Sequence, residues 1–420
     1  MLLASGKEET HSFLGYQFKY ILKNRSYDTN HLIIVFSGFG TGSDFTYDFF
    51  GSLNNSCRAA VLWIKDDFYQ NNLATYYMDV LGEDRLEQAV IGFIREVQLF
   101  LEIDQQYCTL LGCSKGGASA LYYGAKYNFK NIVASAPTIK IGSFISGIEP
   151  KDQPRLCANF ICHGEVNSEK INQLDLRVIK EIDQDQAFDK NIFLISSQKD
   201  YIHNSQIKPF IGAFAKYNNF NYIESQSCLV RTHPDVTFFN TPLILSILNC
   251  LVFNLVPSFL NHVSIGDLPH KKAKVTKEPV FKAMKVDFDD ESRFHPEGVF
   301  FLRGLACQNY EDLDYVLLLD SDTSQFKLDL AKGHKIFITK EYYADAFVNY
   351  DKAFFCTLGF RGLALDHLPQ GFYRLSIEII METGERVISP FFYELDEKNI
   401  SLNGKYELST EDDILYLNIK

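Results

Sequence analysis

The sequence predicts an α/β fold, a mostly parallel sheet flanked by helices, followed by a C-terminal β-sandwich. Continuous apolar runs alternate with helical patterns up to about residue 255, which is typical of parallel strands buried on both faces. From residue 298 onwards, short runs of alternating polarity are separated by turn residues, as in antiparallel β-domains. The length of 420 residues is sufficient for two such domains.

The predicted elements follow one another in a regular order. The apolar runs read as strands are 17–22, 31–37, 58–65, 107–112, 131–136, 191–197 and 221–229. Residues 83–103 place apolar side chains on one helical face, and 116–127 form a helix rich in small residues. A further apolar helix is predicted at about 235–255. This alternation of strands and helices defines the α/β part of the chain.

The domain boundaries follow from changes in this pattern. We assign 1–257 to the α/β domain, within which the strand–helix rhythm breaks at 137–189 and predicts an inserted cap. Residues 258–295 include the lysine-rich stretch LPHKKAKVTKEP and are predicted to be a linker. Residues 296–420 are predicted to be the β-sandwich, an accessory domain.

Composition excludes several classes of function. The net charge of −12 argues against general nucleic-acid binding, which needs a basic face. Nine Cys without a C-x-x-C pair indicate free thiols in a reducing compartment, so we expect a cytoplasmic protein. The first residues lack the basic and apolar regions of a secretory signal. Cys162 and His163 are adjacent, but no third ligand is suitably spaced, so no metal site is predicted.

One apolar stretch, 241–260, is about long enough to cross a bilayer. It also contains Pro242, Asn249, Asn254 and Pro257, and buried Asn without a partner is costly in lipid. We therefore interpret it mainly as a helix of a globular domain. Peripheral association with the inner face of the membrane is the alternative.

The sequence from Gly112 to Gly116 fits the pattern G-x-S-x-G. An apolar strand runs directly into it and a small-residue helix runs directly out, which is the setting of a nucleophile elbow. Small residues are needed there because the turn is tight. We predict that Ser114 is a nucleophile; the alternative is a glycine-rich turn that carries an inert serine.

A serine hydroxyl needs a base to take its proton, and in α/β-hydrolases the chain order is Ser, acid, His. Asp200 follows a predicted strand, and His233 lies after the next one and before a helix. We predict that Asp200 orients His233 and that His233 is the base. Asp235 and His203 are the weaker alternatives.

An acyl-transfer site also needs backbone donors for the oxyanion. We expect one from Lys115, directly after the nucleophile, and a second from Phe39 or Gly40 in the loop after an early strand. The Lys115 side chain has two interpretations, a solvated cation or a binder of an anionic substrate. The lysines of 271–277 have the same two interpretations.

The segment from Leu110 to Phe144 resembles bacterial capsular-polysaccharide biosynthesis proteins of α/β-hydrolase type. In these proteins a G-x-S-K-G-G elbow precedes an alanine-rich helix and a strand, as it does here. A similar elbow followed by ALYYGA occurs in the accessory secretion protein that modifies serine-rich glycoproteins. The resemblance covers roughly residues 30 to 255.

The resemblance implies a catalytic α/β-hydrolase-like domain and a serine-dependent O-acetyltransferase acting on a capsular or related surface polysaccharide. Ser114 would then carry the acyl group, with acetyl-CoA as the donor and no resident cofactor. A serine esterase would use the same three residues. The third alternative is a non-enzymatic component of a glycan-assembly or accessory secretion complex. The β-sandwich would be an accessory module, and its aromatic residues Tyr310, Tyr342, Tyr343 and Phe360 are candidates for glycan contacts.

Overall fold

The structure is a computed structural model that describes residues 2–26, 29–39, 46–69, 73–147, 153–266, 274–344, 346–395, 401–402 and 405–420. The chain divides into two compact units, Met1–Asp267 and Leu268–Lys420. Each unit has its own sheet and its own hydrophobic core.

The first unit contains a nine-stranded sheet with helices on both faces. Its strands are β1 (Glu8–Phe13), β2 (Tyr16–Lys23), β3 (Leu32–Phe36), β4 (Ala60–Ile64), β5 (Cys108–Cys113), β6 (Asn131–Ser135), β7 (Asn191–Ser196), β8 (Asn219–Ser225) and β9 (Asn261–Ile265). Its helices are α1 (Phe50–Ser56), α2 (Arg85–Leu101), α3 (Lys115–Lys126), α4 (Ile141–Ser146), α5 (Gln153–Ile161), α6 (Ser168–Gln184) and α7 (His233–Val252). Short 3₁₀ segments lie at Gln105–Tyr107 and Lys208–Lys216, and one π-helical turn lies at His203–Ile207.

The strand order is β1-β2-β4-β3-β5-β6-β7-β8-β9, and every pair from β4 to β9 is parallel. Strands β3 and β4 are buried along their whole length, as their unbroken apolar sequences predict. Parallel strands have their carboxyl ends at one edge of the sheet. The loops after β3, β5, β7 and β8 therefore meet there, and this edge positions the candidate site.

The structure confirms the predicted fold class and corrects some of the boundaries. The predicted linker, 258–295, instead holds β9, which extends the first sheet, and the first strand of the second unit. The range 137–189 is not a single insertion, because α6 packs against α3 as a covering helix of the sheet. Only α4 and α5 remain as candidates for a cap. The sequence also did not indicate β1, whose alternate residues are exposed.

Helix α7 contains much of the apolar stretch 241–260. Length and composition alone would allow it to cross a bilayer, but 44% of its most apolar window is buried within the protein. Val236, Ile244, Leu248 and Leu251 pack on the sheet. The helix therefore serves as a covering element of the first unit, while Phe238 on its outer side is exposed.

The second unit is an antiparallel β-domain. Its strands are β10 (Pro279–Phe288), β11 (Phe294–Leu302), β12 (Leu313–Asp320), β13 (Gln325–Gly333), β14 (Phe354–Cys356), β15 (Gly371–Met381), β16 (Arg386–Pro390), β17 (Ser401–Leu402), β18 (Tyr406–Glu411) and β19 (Ile414–Ile419). They pair in the order β10-β11-β14-β13-β12-β15-β19-β18-β17, with β16 beside β15. A helix, α8 (Ile336–Glu341), and a 3₁₀ turn, Leu358–Phe360, lie in the connections.

This sheet folds over on itself, so that its two ends face each other as in a sandwich. Phe288 of β10 stacks on Tyr406 of β18 with 5.3 Å between ring centroids. Phe281, also of β10, contacts Phe391, which follows β16. Of the aromatics proposed for glycan contacts, Tyr310, Tyr343 and Phe360 are exposed. The fourth, Tyr342, instead packs against Phe301.

His31, just before β3, predicts a specific acid sensitivity. It is buried, Nε2 lies 2.8 Å from Thr109 Oγ1, and Nδ1 has no hydrogen-bond partner. Burial lowers the pKa of His31 from 6.5 to about 4, so the folded state resists a proton that the unfolded state accepts. Its stabilising contribution is present above pH 6.5 and is lost as the pH falls towards 4.

We expect His31→Gln, whose amide can keep the bond to Thr109, to flatten the loss of melting temperature between pH 6.5 and about 4. The full pKa difference corresponds to about 3 kcal/mol. Thermal melts of both proteins across this range measure the effect. Parallel pH profiles for the variant and the wild type would contradict it.

Candidate active site

Ser114 lies at a strained turn between β5 and α3. Its backbone has φ 50° and ψ −118°, in a region that residues with a Cβ rarely adopt. The turn is held by the Ser114 N–H, which donates to Ser135 O at 2.9 Å, and by Ser114 O, which accepts from Ala118 and Thr138. This geometry lifts the side chain out of the sheet, and it is the sharp elbow that the sequence predicts.

Two glycines make this turn possible. A Cβ at Gly112 would lie 2.2 Å from the backbone carbonyl carbon of Gly116, and one at Gly116 would lie 2.1 Å from Phe36 O. Both distances are far below contact distance, so any side chain would push α3 away from β3 and β5. The spacing G-x-S-x-G is thus a packing requirement of this strand–turn–helix.

The structure brings Ser114, His233 and Asp200 together in one hydrogen-bonded chain. His233 Nε2 lies 2.8 Å from Ser114 Oγ, and His233 Nδ1 lies 2.8 Å from Asp200 Oδ2. Because an ionised carboxylate only accepts, Nδ1 is the nitrogen that carries the proton. Nε2 is then free to accept the proton of the Ser114 hydroxyl.

Local structure holds both partners of the serine in place. Asp200 follows β7 and is buried, and its second oxygen, Oδ1, accepts from the N–H of Ile202 at 3.2 Å. His233 is the first residue of α7, where Thr232 and Asp235 form a capping box. Asp235, the weaker candidate for the acid, is thus occupied in capping α7. His203, the weaker candidate for the base, contacts Ser196 Oγ through Nδ1.

The loop after β3 lies close to the elbow. The Gly38 N–H donates to Asp48 Oδ2 at 2.6 Å, so this amide is already occupied. The ring of Phe39 packs against Tyr76 and Phe144, the latter from α4. Of the two residues expected to supply the second oxyanion donor, Phe39 is described and Gly40 lies outside the described residues. The first donor, the Lys115 N–H, is in the first turn of α3, where amides have no partner within the helix.

The expectation that the Lys115 side chain binds substrate is wrong. Its side chain has no exposed area, and Nζ lies 2.6 Å from Asp66 Oδ2. The rings of Phe39, Tyr76 and Tyr77 surround Nζ at 4.8–5.9 Å. A cation enclosed in this way cannot reach a dissolved anion. Of the lysines in the predicted linker, Lys277 pairs with Glu385, and Lys271 and Lys272 lie outside the described residues.

Sequence reasoning missed two carboxylates near the elbow, the buried Asp66 and the half-buried Asp48. Asp66 accepts from Lys115 and from both the N–H and the hydroxyl of Thr75. Asp48 accepts hydrogen bonds from the Gly38 N–H and from Cys113 Sγ. Burial raises the pKa of the Asp48 carboxyl. The one signal in the sequence was that Asp66 comes directly after a predicted strand, 58–65, while Asp200 comes shortly after another, 191–197. Nothing in the sequence indicated its pairing with Lys115.

Fold and geometry together define the class of the first unit, which is that of α/β-hydrolase-type esterases and acyltransferases. The parallel sheet, the strained elbow after β5 and the Ser–His–Asp order along the chain all match this class. Such an arrangement can form and resolve an acyl-serine. Among the described residues, no group of three His, Cys, Asp or Glu side chains could hold a metal ion.

A family model described as "Accessory Sec system GspB-transporter" matches residues 30–206. The match includes Ser114 and Asp200 and ends before His233. It confirms the resemblance to the accessory secretion protein that the elbow segment indicated. No curated protein sequence matches the chain.

Several solved structures are similar to part of this chain. The capsule O-acetyltransferase of Neisseria meningitidis serogroup A is 19% identical, with a TM-score of 0.46 over 59% of this chain and 99% of that one. A CoA complex of that enzyme is 21% identical, with a TM-score of 0.39 over 50% and 86% of the two chains. The Glycosylation Associate Protein (Gap123) complex of Streptococcus agalactiae is 20% identical, with a TM-score of 0.43 over 57% and 45%.

Proposed function

We propose that this protein is a serine-dependent O-acetyltransferase that works through an acyl-enzyme on Ser114. The single observation that carries the proposal is the hydrogen-bonded chain from Ser114 through His233 to Asp200, with both distances at 2.8 Å. A serine placed on a strained elbow and directed at an imidazole in this way is prepared for nucleophilic attack.

In the first half-reaction, Ser114 Oγ attacks the acetyl carbonyl of the donor thioester while His233 Nε2 takes its proton. The negative charge on the carbonyl oxygen is stabilised by the N–H groups of Lys115 and Phe39 or Gly40. The tetrahedral intermediate collapses, the C–S bond breaks, and His233 returns the proton to the departing thiolate. The products are acetyl-Ser114 and a free thiol.

In the second half-reaction, an acceptor hydroxyl gives its proton to His233 and attacks acetyl-Ser114. The C–O bond to Ser114 then breaks, and the proton moves from His233 to Ser114 Oγ. Asp200 stays ionised throughout and stabilises the imidazolium that forms in each half. No metal or redox step is needed to balance either half-reaction.

The acetyl group and the acceptor class come from the resemblance of residues 110–144 to capsular-polysaccharide biosynthesis proteins. We propose acetyl-CoA as the donor and a hydroxyl of a capsular or related surface polysaccharide as the acceptor. Free thiols and an apolar, partly buried α7 are compatible with a cytoplasmic protein that works at or near the inner face of the membrane. Because Lys115 is enclosed, no particular charge is assigned to the acceptor.

Hydrolysis is the second candidate, because the same acyl-enzyme reacts with water unless the acceptor excludes it. One observation favours it. Tyr201, whose ring centroid lies 6.0 Å from that of His233, is 75% exposed, so solvent reaches the neighbourhood of the base. A non-enzymatic scaffold is the weakest candidate, since it would have no need of the strained turn at Ser114.

One experiment separates the three candidates. The protein is incubated with acetyl-CoA carrying a radiolabelled acetyl group, with and without capsular oligosaccharides. We expect the wild-type protein to transfer the label to the glycan. With the Ser114→Ala variant we expect no label on the glycan. Label that appears only as free acetate would identify an esterase. Absence of both products, and of acetyl-Ser114 by mass spectrometry, would contradict the proposal.

The second unit is proposed to act as an accessory domain that contacts the glycan. The exposed rings of Tyr310 and Phe360 support this, since aromatic faces stack on sugars. Lys352 Nζ lies 3.8 Å from the ring centroid of Tyr310, and Lys335 Nζ lies 5.3 Å from that of Phe360. A lysine ammonium group therefore already lies near each ring. The proposal is that a sugar contacts the part of each ring that is still exposed.

A further inference from the structure

Asp48 contacts both of the segments that supply the proposed oxyanion donors. One segment is the loop after β3, which contains Phe39, and the other is the elbow after β5, which leads into Lys115. Strands β3 and β5 are parallel neighbours, and Phe36 at the end of β3 pairs with Gly112 of β5. The two segments therefore leave the sheet side by side, and a single group is able to hold both.

One carboxylate oxygen of Asp48 makes both contacts. Asp48 Oδ2 accepts from the Gly38 N–H at 2.6 Å and from Cys113 Sγ at 3.3 Å. Burial raises the pKa of the Cys113 thiol well above its usual range, so the sulfur keeps its proton and is able to donate. Gly38 comes directly before Phe39, and Cys113 comes directly before Ser114. The carboxylate therefore holds the residue that precedes each functional part of the site.

The backbone of Asp48 is itself anchored from outside the site. Its main-chain carbonyl accepts from Trp63 Nε1 at 3.0 Å, and Trp63 is a buried residue of β4. Asp48 lies just before α1, whose first residue, Phe50, packs its ring on that of Trp63 with 5.2 Å between centroids. A side chain that extends from a backbone fixed in this way can determine the position of the loop that it contacts.

The hydrogen bonds of the loop after β3 show how its backbone is held. The Ser37 N–H donates to Tyr77 OH at 2.7 Å, and the next N–H along the chain, that of Gly38, donates to Asp48. The expected oxyanion donors of this loop come directly after these two residues. Asp48 thus accepts the hydrogen bond that lies nearest to the donors in the chain, so its loss would free the loop where position matters most.

We propose that Asp48 is a positioning residue for acyl transfer, which holds the loop after β3 and the elbow at the separation that directs both oxyanion donors at one oxygen. This inference rests on the proposed acyl-transfer function. Asp48 acts through the backbone of Gly38 and Cys113 and does not itself contact the substrate. Because oxyanion donors stabilise the transition state more than the bound substrate, loss of Asp48 lowers kcat and leaves KM nearly unchanged.

The first test is Asp48→Ala in the full-length protein, assayed by thiol release from acetyl-CoA. We expect kcat to fall about 10- to 100-fold and KM to change less than about 3-fold, because a small displacement of a donor is sufficient for such a loss. Methylboronic acid is the second probe, since its tetrahedral adduct with a reactive serine places an oxygen where the oxyanion forms. Its affinity should fall in parallel with kcat. An unchanged kcat, or a raised KM alone, would overturn the proposal.

Asp48→Asn separates the hydrogen bonds from the charge. Because a single oxygen accepts both hydrogen bonds, the amide oxygen of Asn can take its place. We expect both kcat and the affinity for methylboronic acid to stay within about 3-fold of the wild-type values. If Asp48→Asn were as impaired as Asp48→Ala, the charge rather than the position of the loop would be responsible, and the proposal would be wrong.

Asp185→Ala is the matched control for a loss of stability. Asp185 accepts from the Ala187 N–H at 2.9 Å and from Tyr217 OH at 3.0 Å, so it too holds a main-chain amide and a side chain. It lies between α6 and β7, at the amino end of that strand and away from Ser114. We expect this variant to lose at least as much melting temperature as Asp48→Ala and to keep its kcat. An equal fall of kcat in both variants would overturn the positioning role.

The wild-type protein distinguishes failure of this inference from failure of the proposed function. If the wild type releases no thiol and forms no acetyl-Ser114, acyl transfer itself is wrong and the role of Asp48 is overturned with it. If the wild type is acetylated and Asp48→Ala is acetylated at the same rate, only the positioning role is wrong.

Discussion

Ser114→Ala is expected to lower acetyl turnover by roughly 10⁴-fold or more while the protein stays folded. The reason is that Ser114 Oγ, 2.8 Å from His233 Nε2, is the atom proposed to carry the acyl group. The measurement is release of free thiol from acetyl-CoA, combined with mass spectrometry of the peptide that contains Ser114. The wild type should show an acetyl group on that peptide, and the variant should not.

Ser119→Ala is the matched control for this change. Ser119 lies on the same helix, and its hydroxyl donates to the carbonyl of Lys115 rather than to an imidazole. We expect turnover close to that of the wild type. Adding His233→Ala to Ser114→Ala should cost little more, since residues that act as one unit are non-additive. Substantial turnover by Ser114→Ala, or additive losses, would contradict the assignment.

Lys115→Met is expected to destabilise the protein by about 3–5 kcal/mol. Lys115 and Asp66 are both fully buried, and their side chains meet at 2.6 Å. Removing the cation leaves a buried carboxylate whose remaining hydrogen bonds, among the described residues, come from Thr75. Urea unfolding followed by near-UV circular dichroism measures the change. The effect is on stability and not on the salt dependence of the Michaelis constant, because the ammonium group never meets the solvent.

Two further variants show that the effect comes from the buried pair. Lys115→Met combined with Asp66→Leu should recover much of the loss, since a buried ion pair can be replaced by apolar residues at little cost. Lys130→Met breaks the exposed contact with Asp189, at 3.6 Å, and should change stability very little. If Lys115→Met were as stable as Lys130→Met, the buried pair would not contribute to stability, which would contradict the prediction.

Much of the candidate site could be predicted because its residues are tied to element ends. Ser114 follows β5 in a turn where only glycines fit at positions 112 and 116, so steric demands appear directly in the sequence. Asp200 and His233 follow β7 and β8, and parallel strands bring such positions to one edge. Local pattern and chain order were therefore sufficient to name the three residues.

The errors concern partners that are distant in sequence. Both sequence interpretations of Lys115, a solvated cation and a binder of an anion, require an accessible side chain, but the side chain turns inward to Asp66, 49 residues earlier. Likewise, the sequence predicts a linker where the polar edge strand β9 lies, because exposed strands lack the apolar run that identifies buried ones. Pairing with β8, a tertiary contact, is what makes it a strand.

The sequence by itself determined the fold class, the two β-containing units, the elbow, and the His and Asp that lie in line with Ser114, because steric limits at glycines and periodic burial are local properties. Only the tertiary structure decided which polar groups are paired, enclosed or left without a partner. Lys115 is enclosed beside Asp66, and Nδ1 of buried His31 has no hydrogen-bond partner. The physical reason is that burial and hydrogen bonding depend on which atoms meet in space, and residues far apart in the chain supply those atoms.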